Sequence, residues 1–249
     1  MKLLFIPNWN GHLFLQEYDD KSISKLFKET KYDNKSLIEI EKNNIEKTNK
    51  IIEKEFEKNF NKEKGILSIT GDHSNTYPLV KAYSKLIKNP KEFKLIIFDA
   101  HPDVEVSTDM ISHEDYLRNL IDNNIIKPQN VYLFGIRTFS REEYEYLQDK
   151  KINFWTITDI LKDKNKIKEI LKKIEGDIYL SIDIDVLDPD DAPGTYYREY
   201  CGLYINELTE FIEILKLKTN YIDITEFYLE KDENKITQKN IFKIIEKFI

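Results

Sequence analysis

Cysteine is almost missing from this chain: one residue, Cys201, occurs in 249. An internal disulfide is thereby excluded, and a reducing compartment is expected. An excess of basic residues is missing as well. Lys and Arg number 38 against 45 Asp and Glu, for a net charge of -7, and no basic run stands out. That balance argues against nucleic acid or an anionic membrane as the main partner. Long hydrophobic runs are also lacking. Residues 3–6 form an apolar run ended by Pro7, too short for a signal peptide or a membrane span. A soluble, cytoplasmic protein is expected. Glycine and proline are scarce, at seven each, and no linker, repeat or low-complexity block divides residues 1–249. A single domain is therefore expected, with a hydrophobic content of 41% sufficient for a sizeable core.

What is plentiful is short apolar runs that alternate with amphipathic stretches. Runs at 3–6, 66–70, 94–98, 131–135, 152–155, 178–182 and 221–226 read as strands buried on both faces. Ser36 and Glu39 form a capping box that predicts a helix to about residue 61, with Ile38, Ile45, Ile52, Phe56 and Phe60 on one stripe and a solvated Lys/Glu face. Further helices are expected from about Pro78 to Asn89, from near His113 to Asp122, after the Ser140–Glu143 capping box, from Asp159 to Gly176, at Leu208–Leu215 and at Ile241–Phe248. Residues from Asn8 to about Lys35, and 104–112, show no helical or strand pattern. Strands alternating with helices imply a parallel α/β sheet covered on both faces, in which ligands bind beyond the carboxyl ends of the strands.

The chemistry-bearing residues fall at those ends. Asp99, His101 and Asp103 follow the 94–98 strand, Asp183 and Asp185 follow 178–182, and His73 follows 66–70. Alternation along extended backbone lets each set project to one side. Four carboxylates and two imidazoles make an oxygen-rich ligand set that suits Mn²⁺ or a similar ion better than a thiolate zinc site. Six ligands exceed the needs of one catalytic ion, whereas two ions about 3.5–4 Å apart account for all of them and make hydroxide available near neutral pH.

Gly71-Asp72-His73-Ser74, Asp99-Ala100-His101-Pro102-Asp103 and the stretch Ser181-Ile182-Asp183-Ile184-Asp185 through Gly194-Thr195 resemble, in residues and spacing, the three signatures of the arginase/agmatinase (ureohydrolase) family. The resemblance runs from about Gly65 onward and implies a three-layer α/β/α domain, a dinuclear manganese centre and a homotrimer or homohexamer. It implies that His73, Asp99, Asp103 and Asp183 hold one ion and that His101, Asp99, Asp183 and Asp185 hold the other. Glu226 would bind a guanidinium group, as a carboxylate can by paired N–H bonds. His113 would shuttle a proton, and Asp103 would orient a hydroxide bridging the metals as it attacks the guanidinium carbon to give urea and an amine. The stretch Asp72–Leu79 is closer to agmatinase than to arginase.

Departures from the family pattern lie near the implied substrate. Thr70 replaces a glycine, Tyr196-Tyr197-Arg198 replaces Gly-Thr-Pro, and Tyr228-Leu229 replaces a polar residue and proline. Residues 1–60 diverge as a block. A second reading is therefore hydrolysis of another C–N bond on the same fold, formimidoylglutamase-like or deacetylase-like, with Tyr197 polarising a carbonyl. A third is a metal-binding protein that has lost turnover. Asp72 and Asp188 are expected in turns or behind the ligands, His12 in a loop, Gly135-Ile136-Arg137 at a strand end, Arg198 in a surface ion pair and Cys201 as an incidental thiol.

Overall fold

Alternation along the strands sorts the apolar side chains into two layers. Leu3, Phe5, Leu67, Ile69, Ile96 and Phe98 enter one core, while Leu4, Ile6, Ile66, Leu95 and Ile97 enter another on the opposite face of the sheet. The computed structural model describes residues 1–12, 21–90, 92–107 and 110–249. Its strands are β1 (Lys2–Ile6), β2 (Lys35–Leu37), β3 (Ile66–Thr70), β4 (Lys94–Phe98), β5 (Val131–Ile136), β6 (Asn153–Thr156), β7 (Ile178–Asp183) and β8 (Tyr221–Thr225). They form one eight-stranded sheet in the order β2-β1-β3-β8-β7-β4-β5-β6, with every described pairing parallel.

Helices cover both faces. The first core takes in α1 (Lys21–Glu29), α6 (Ile157–Lys162), α7 (Lys164–Lys173), α8 (Ile205–Leu215) and α9 (Ile236–Glu246). The second is closed by α2 (Ile45–Asn59), α3 (Thr76–Leu86), α4 (Tyr116–Asp122) and α5 (Arg141–Lys150). This is the expected three-layer α/β/α arrangement. No helix among the described residues is long and apolar enough to cross a membrane.

Several local expectations need correction. Ser36 does not open a helix. It lies in β2, whose backbone satisfies the otherwise open edge of β1 through the register Leu4↔Ser36. The helix starts instead at Ile45, where the Asn44 side chain accepts from Lys47 N at 3.0 Å. The expected 159–176 helix is two helices. Asp163, with φ -153°, breaks the run and its side chain caps the second one on Lys166 N. An unrecognised capping box, Thr156 with Asp159, starts the first. The unpatterned stretch before Lys35 contains α1, and its residues 13–20 lie outside the described residues, as do 108 and 109 of the 104–112 segment. His113 precedes α4 rather than standing in it, in a turn held by Ser112 N and Oγ donating to Asp115 Oδ1 at 2.6 and 2.9 Å.

Candidate metal centre

β3, β4 and β7 lie close together in the sheet with only β8 intervening, so the turns that follow them meet above its carboxyl edge. His73 Nδ1 lies 2.9 Å from Asp99 Oδ2, 3.1 Å from Asp103 Oδ2 and 3.2 Å from Asp183 Oδ2. Next to this group, His101 Nδ1 lies 3.1 Å from Asp185 Oδ2 and 3.6 Å from Asp99 Oδ1. Asp99 is thus shared between two sets of converging donors. All six sequence-predicted ligands are brought together. Asp183 faces the first set through Oδ2, and its Oδ1 accepts Asp185 N at 2.8 Å, as Asp99 Oδ1 accepts His101 N at 2.7 Å.

Whether a cation fits is decided at His73. Tyr116 OH lies 3.0 Å from its Nε2 and Ser181 Oγ lies 2.9 Å away. Ser181 already donates its one hydrogen to Asp223 Oδ1 at 2.5 Å, so it must accept from His73 Nε2–H. Asp223 is held in turn by Tyr179 OH at 2.8 Å and Thr76 Oγ1 at 3.1 Å. This relay leaves Nδ1 as the ring's outward lone pair, facing three carboxylates. Nδ1 and Asp99 Oδ2 are buried without a hydrogen-bond partner despite these close approaches. Like-signed donors crowding one point with no hydrogen between them are the inner surface of a coordination shell. The residues fit a divalent cation.

The electrostatics agree. Burial opposes a charge on His73, but the pull of Tyr116 and of Asp103, Asp183 and Asp99 outweighs it and raises the imidazole well above its usual value. Burial, then repulsion from Asp99, pushes the Asp103 carboxyl up to about 8. Burial, then Asp185 and Asp99, raises Asp183 as well. For Asp185 burial is outweighed by His101, and its carboxyl falls below the usual range. Without ions, protons take up the surplus negative charge.

Around the centre, Glu226 closes the site from the end of β8. Its N–H donates to Gly71 O at 2.7 Å, its Oε1 accepts His73 N at 2.8 Å, and its φ is +66°. Asp103 is also left-handed, at +51°; strained backbone of this kind clusters at functional positions. His113 Nδ1 lies 3.0 Å from Gly11 O. A carbonyl only accepts, so Nδ1 carries the hydrogen and Nε2 is the bare nitrogen, buried and unpartnered. A small inner cavity of about 20 Å³ touches His73, Asp103, His113, Asp183, Tyr197 and Glu226. An outer cavity of about 330 Å³ shares His101, Asp103, His113 and Tyr197 with it, and its charged lining beyond the candidate ligands is Glu105, Glu114, Glu143 and Glu199, with no Lys or Arg among the described residues.

Several residues near the site escaped the sequence. Arg137 does more than end a strand: its guanidinium donates to the carbonyls of Asp185 at 2.6 Å, Glu199 at 2.9 Å and Tyr200 at 3.1 Å, tying the 185 turn to the 199–200 loop. Glu199 Oε1 stands 3.5 Å from His101 Nε2. Asp223 carried a readable signal, a carboxylate in the middle of an apolar strand. Tyr116 and His12 carried none. His12 is buried and stacked on His113. Asp72 caps the turn as expected, accepting Ser74 N and Gly11 N at 3.0 Å each. Asp188 is also in a turn, accepting Asp190 N at 3.1 Å. Arg198 is bound to Glu233 at 3.0 Å, Pro193 O and Lys231 O, a surface pair as expected.

Comparison with known proteins gives a consistent picture. A model described as the arginase family matches residues 13–249. An agmatinase of Bacillus anthracis is 35% identical over 201 residues, which are 80% of this chain and 66% of that protein, just under two thirds of its length. Among solved structures, formimidoylglutamase from Bacillus subtilis superposes with a TM-score of 0.89 at 23% identity, covering 99% of this chain and 85% of that one. The agmatine ureohydrolase of Thermoplasma volcanium superposes with a TM-score of 0.84 at 25% identity, covering 99% and 87%.

Proposed function

The chain belongs to the arginase family, and from that premise we propose that it is a dinuclear, manganese-dependent hydrolase of a guanidino compound that releases urea and an amine. The reading is carried by the convergence of six ligand side chains around the unpartnered His73 Nδ1 and Asp99 Oδ2. His73, Asp99, Asp103 and Asp183 would hold one ion, and His101, Asp99, Asp183 and Asp185 the other. When bound, such a pair lowers the pKa of a shared water and supplies a nucleophile near neutral pH.

The chain's own residues do the rest. Glu226 accepts N–H bonds from the planar guanidinium at the mouth of the inner cavity. Asp103 orients the attacking oxygen through its carboxylate. The oxygen–carbon bond forms, the carbon–nitrogen bond breaks, and the departing amine takes a proton relayed by His113 Nε2, which faces the same cavity. Guanidinium plus water is balanced by urea plus the protonated amine, which leaves as an ammonium.

The outer cavity favours a substrate that carries a second cation, as agmatine does. Four glutamates line it, and burial followed by repulsion from Glu105 raises the Glu114 carboxyl. Arg198, the residue that could have met a carboxylate, is engaged elsewhere. We assign the enzyme to the cytoplasm, as a homotrimer or homohexamer. The test is urea release from agmatine, arginine and 4-guanidinobutyrate with added Mn²⁺. Turnover fastest with agmatine supports the reading; no urea from any of the three removes it.

A second reading is supported by Tyr197. Its phenol, raised to about 12 by burial and then Glu114, lines both cavities as a neutral donor, suited to the oxyanion of a formimidoyl or acetyl substrate. Formamide or acetate as product would favour it.

A further inference from the structure

Residues 9–12 approach the active site in a tight turn closed by His12 N donating to Trp9 O at 3.3 Å. Gly11 is the pivot. Its N–H donates to Asp72 Oδ2 at 3.0 Å, and its carbonyl accepts both His113 N at 3.1 Å and His113 Nδ1–H at 3.0 Å. A Cβ there would lie 2.1 Å from Ser74 Oγ, so only glycine passes so close. The next residue lays its ring on His113: the His12 and His113 rings are 4.4 Å apart and 8° from parallel. Tyr197 continues the parallel set, 5.9 Å and 7° from His12 and 6.3 Å and 10° from His113. Tyr196 meets His12 edge-on at 4.4 Å. Tyr196 and Tyr197 stand where the family pattern has small residues. The chain's departures near the start and in the third motif therefore meet in space, around His12.

A single hydrogen bond to Gly11 O fixes one atom of the His113 imidazole but leaves its plane free to turn. The face of a second ring removes that freedom. We propose that His12 is a positioning residue for proton transfer, its ring the platform that holds the His113 imidazole with Nε2 toward the substrate. The proposal rests on the role given to His113 above. Burial, then His113 and Lys231, hold His12 down to about 3, so the platform is uncharged when His113 carries its proton.

The test compares His12→Ala and His12→Phe in the Mn²⁺-loaded enzyme. His12→Ala should lower kcat about 3- to 10-fold, the scale of one lost aromatic pair, with KM and metal content unchanged. His12→Phe should restore kcat to within about twofold, since it keeps the ring. Crystal structures of both should show the His113 ring plane turned about its bond to Gly11 O in the alanine variant alone. Wild-type kcat in a folded His12→Ala enzyme overturns the proposal, as does a metallated His12→Phe enzyme as slow as His12→Ala. If the alanine variant does not fold, His12→Phe decides on its own. If the wild-type chain releases no urea at all, the reading of its function fails, and the orientation of His113 in the crystals still decides the platform.

Discussion

Replacing Asp183 by Asn separates the ligand role of this residue from its structural one. Asp183 Oδ1 accepts Asp185 N at 2.8 Å, and Oδ2 lies 3.2 Å from His73 Nδ1. An amide oxygen can take over the first contact, while the NH₂ group falls at the Oδ2 position, where it cannot ligate. Losing a residue behind a ligand costs about 10- to 100-fold in metal affinity, so losing a ligand should cost at least about 100-fold. With Mn²⁺ at about 1,000 times Kd, the wild type gains about 4.1 kcal/mol. At the same concentration, a 100-fold weaker site gains only about 1.4 kcal/mol. The difference of about 2.7 kcal/mol corresponds to a Tm gap of about 5–11 °C at this chain length. After chelation the order should reverse or vanish. Burial, Asp185 and Asp99 raise the Asp183 carboxyl, so a neutral amide relieves repulsion in the ion-free protein. Calorimetry with Mn²⁺ and with EDTA, together with metal analysis, reads both halves. A variant that retains two ions per chain and normal turnover would refute the placement of the centre. One that melts far below the wild type even after chelation would show that Asp183 serves the fold instead.

His113→Asn should keep the wild-type metal content and lose about 10²-fold or more in kcat; an unchanged rate would reduce His113 to a packing role. Glu226→Gln can still accept His73 N–H through its carbonyl, so the fold should hold while kcat/KM falls about 10- to 100-fold with the lost charge-assisted bonds; steady-state kinetics with wild-type efficiency would contradict this. His12, held down to about 3, binds no proton in the fold where the unfolded chain takes one near 6.5. Its contribution is therefore complete above about pH 6.5 and is lost on acidification, by up to about 1.4 kcal/mol per pH unit. His12→Phe should be less sensitive than the wild type by about 2 kcal/mol between pH 7 and 5, and parallel urea titrations would disprove that. Gly71→Ala would put a Cβ 2.0 Å from Asn8 O, and denaturation should show a loss of about 1–3 kcal/mol; a neutral result would mean that the 8–12 turn can move aside.

The convergence of the six candidate ligands was legible because they stand at or just after the ends of apolar runs whose strand character is strong, and the sheet's topology brings those ends together. The 36–45 region was not. Ser36 and Glu39 satisfy a local capping pattern, but the open edge of β1 offered Lys35–Leu37 a backbone ladder instead. Local spacing does not carry that competition between a cap and a distant strand. The same limit hid His12, Arg137 and Tyr116. His12 has no motif around it and acquires its neighbours, His113 and Tyr196, only after folding. Arg137 looks like any residue that follows a strand until the 185 and 199–200 backbones close on it. Asp223 was recoverable, since a carboxylate between Ile222 and Ile224 needs partners that only a buried network supplies.

β8 is the last strand in the chain and yet lies between β3 and β7 in the sheet. As the polypeptide leaves the ribosome, β1–β3 and β4–β7 must wait as two unjoined halves. The His73 N–H, already made, finds its Glu226 partner only 153 residues later. Of the six candidate ligands only His73 lies on the β1–β3 side of this seam, so the donor set around its Nδ1 is complete only when the final strand joins the two halves. The other set, Asp99, His101 and Asp185, comes from the adjacent ends of β4 and β7 and is assembled before β8 arrives.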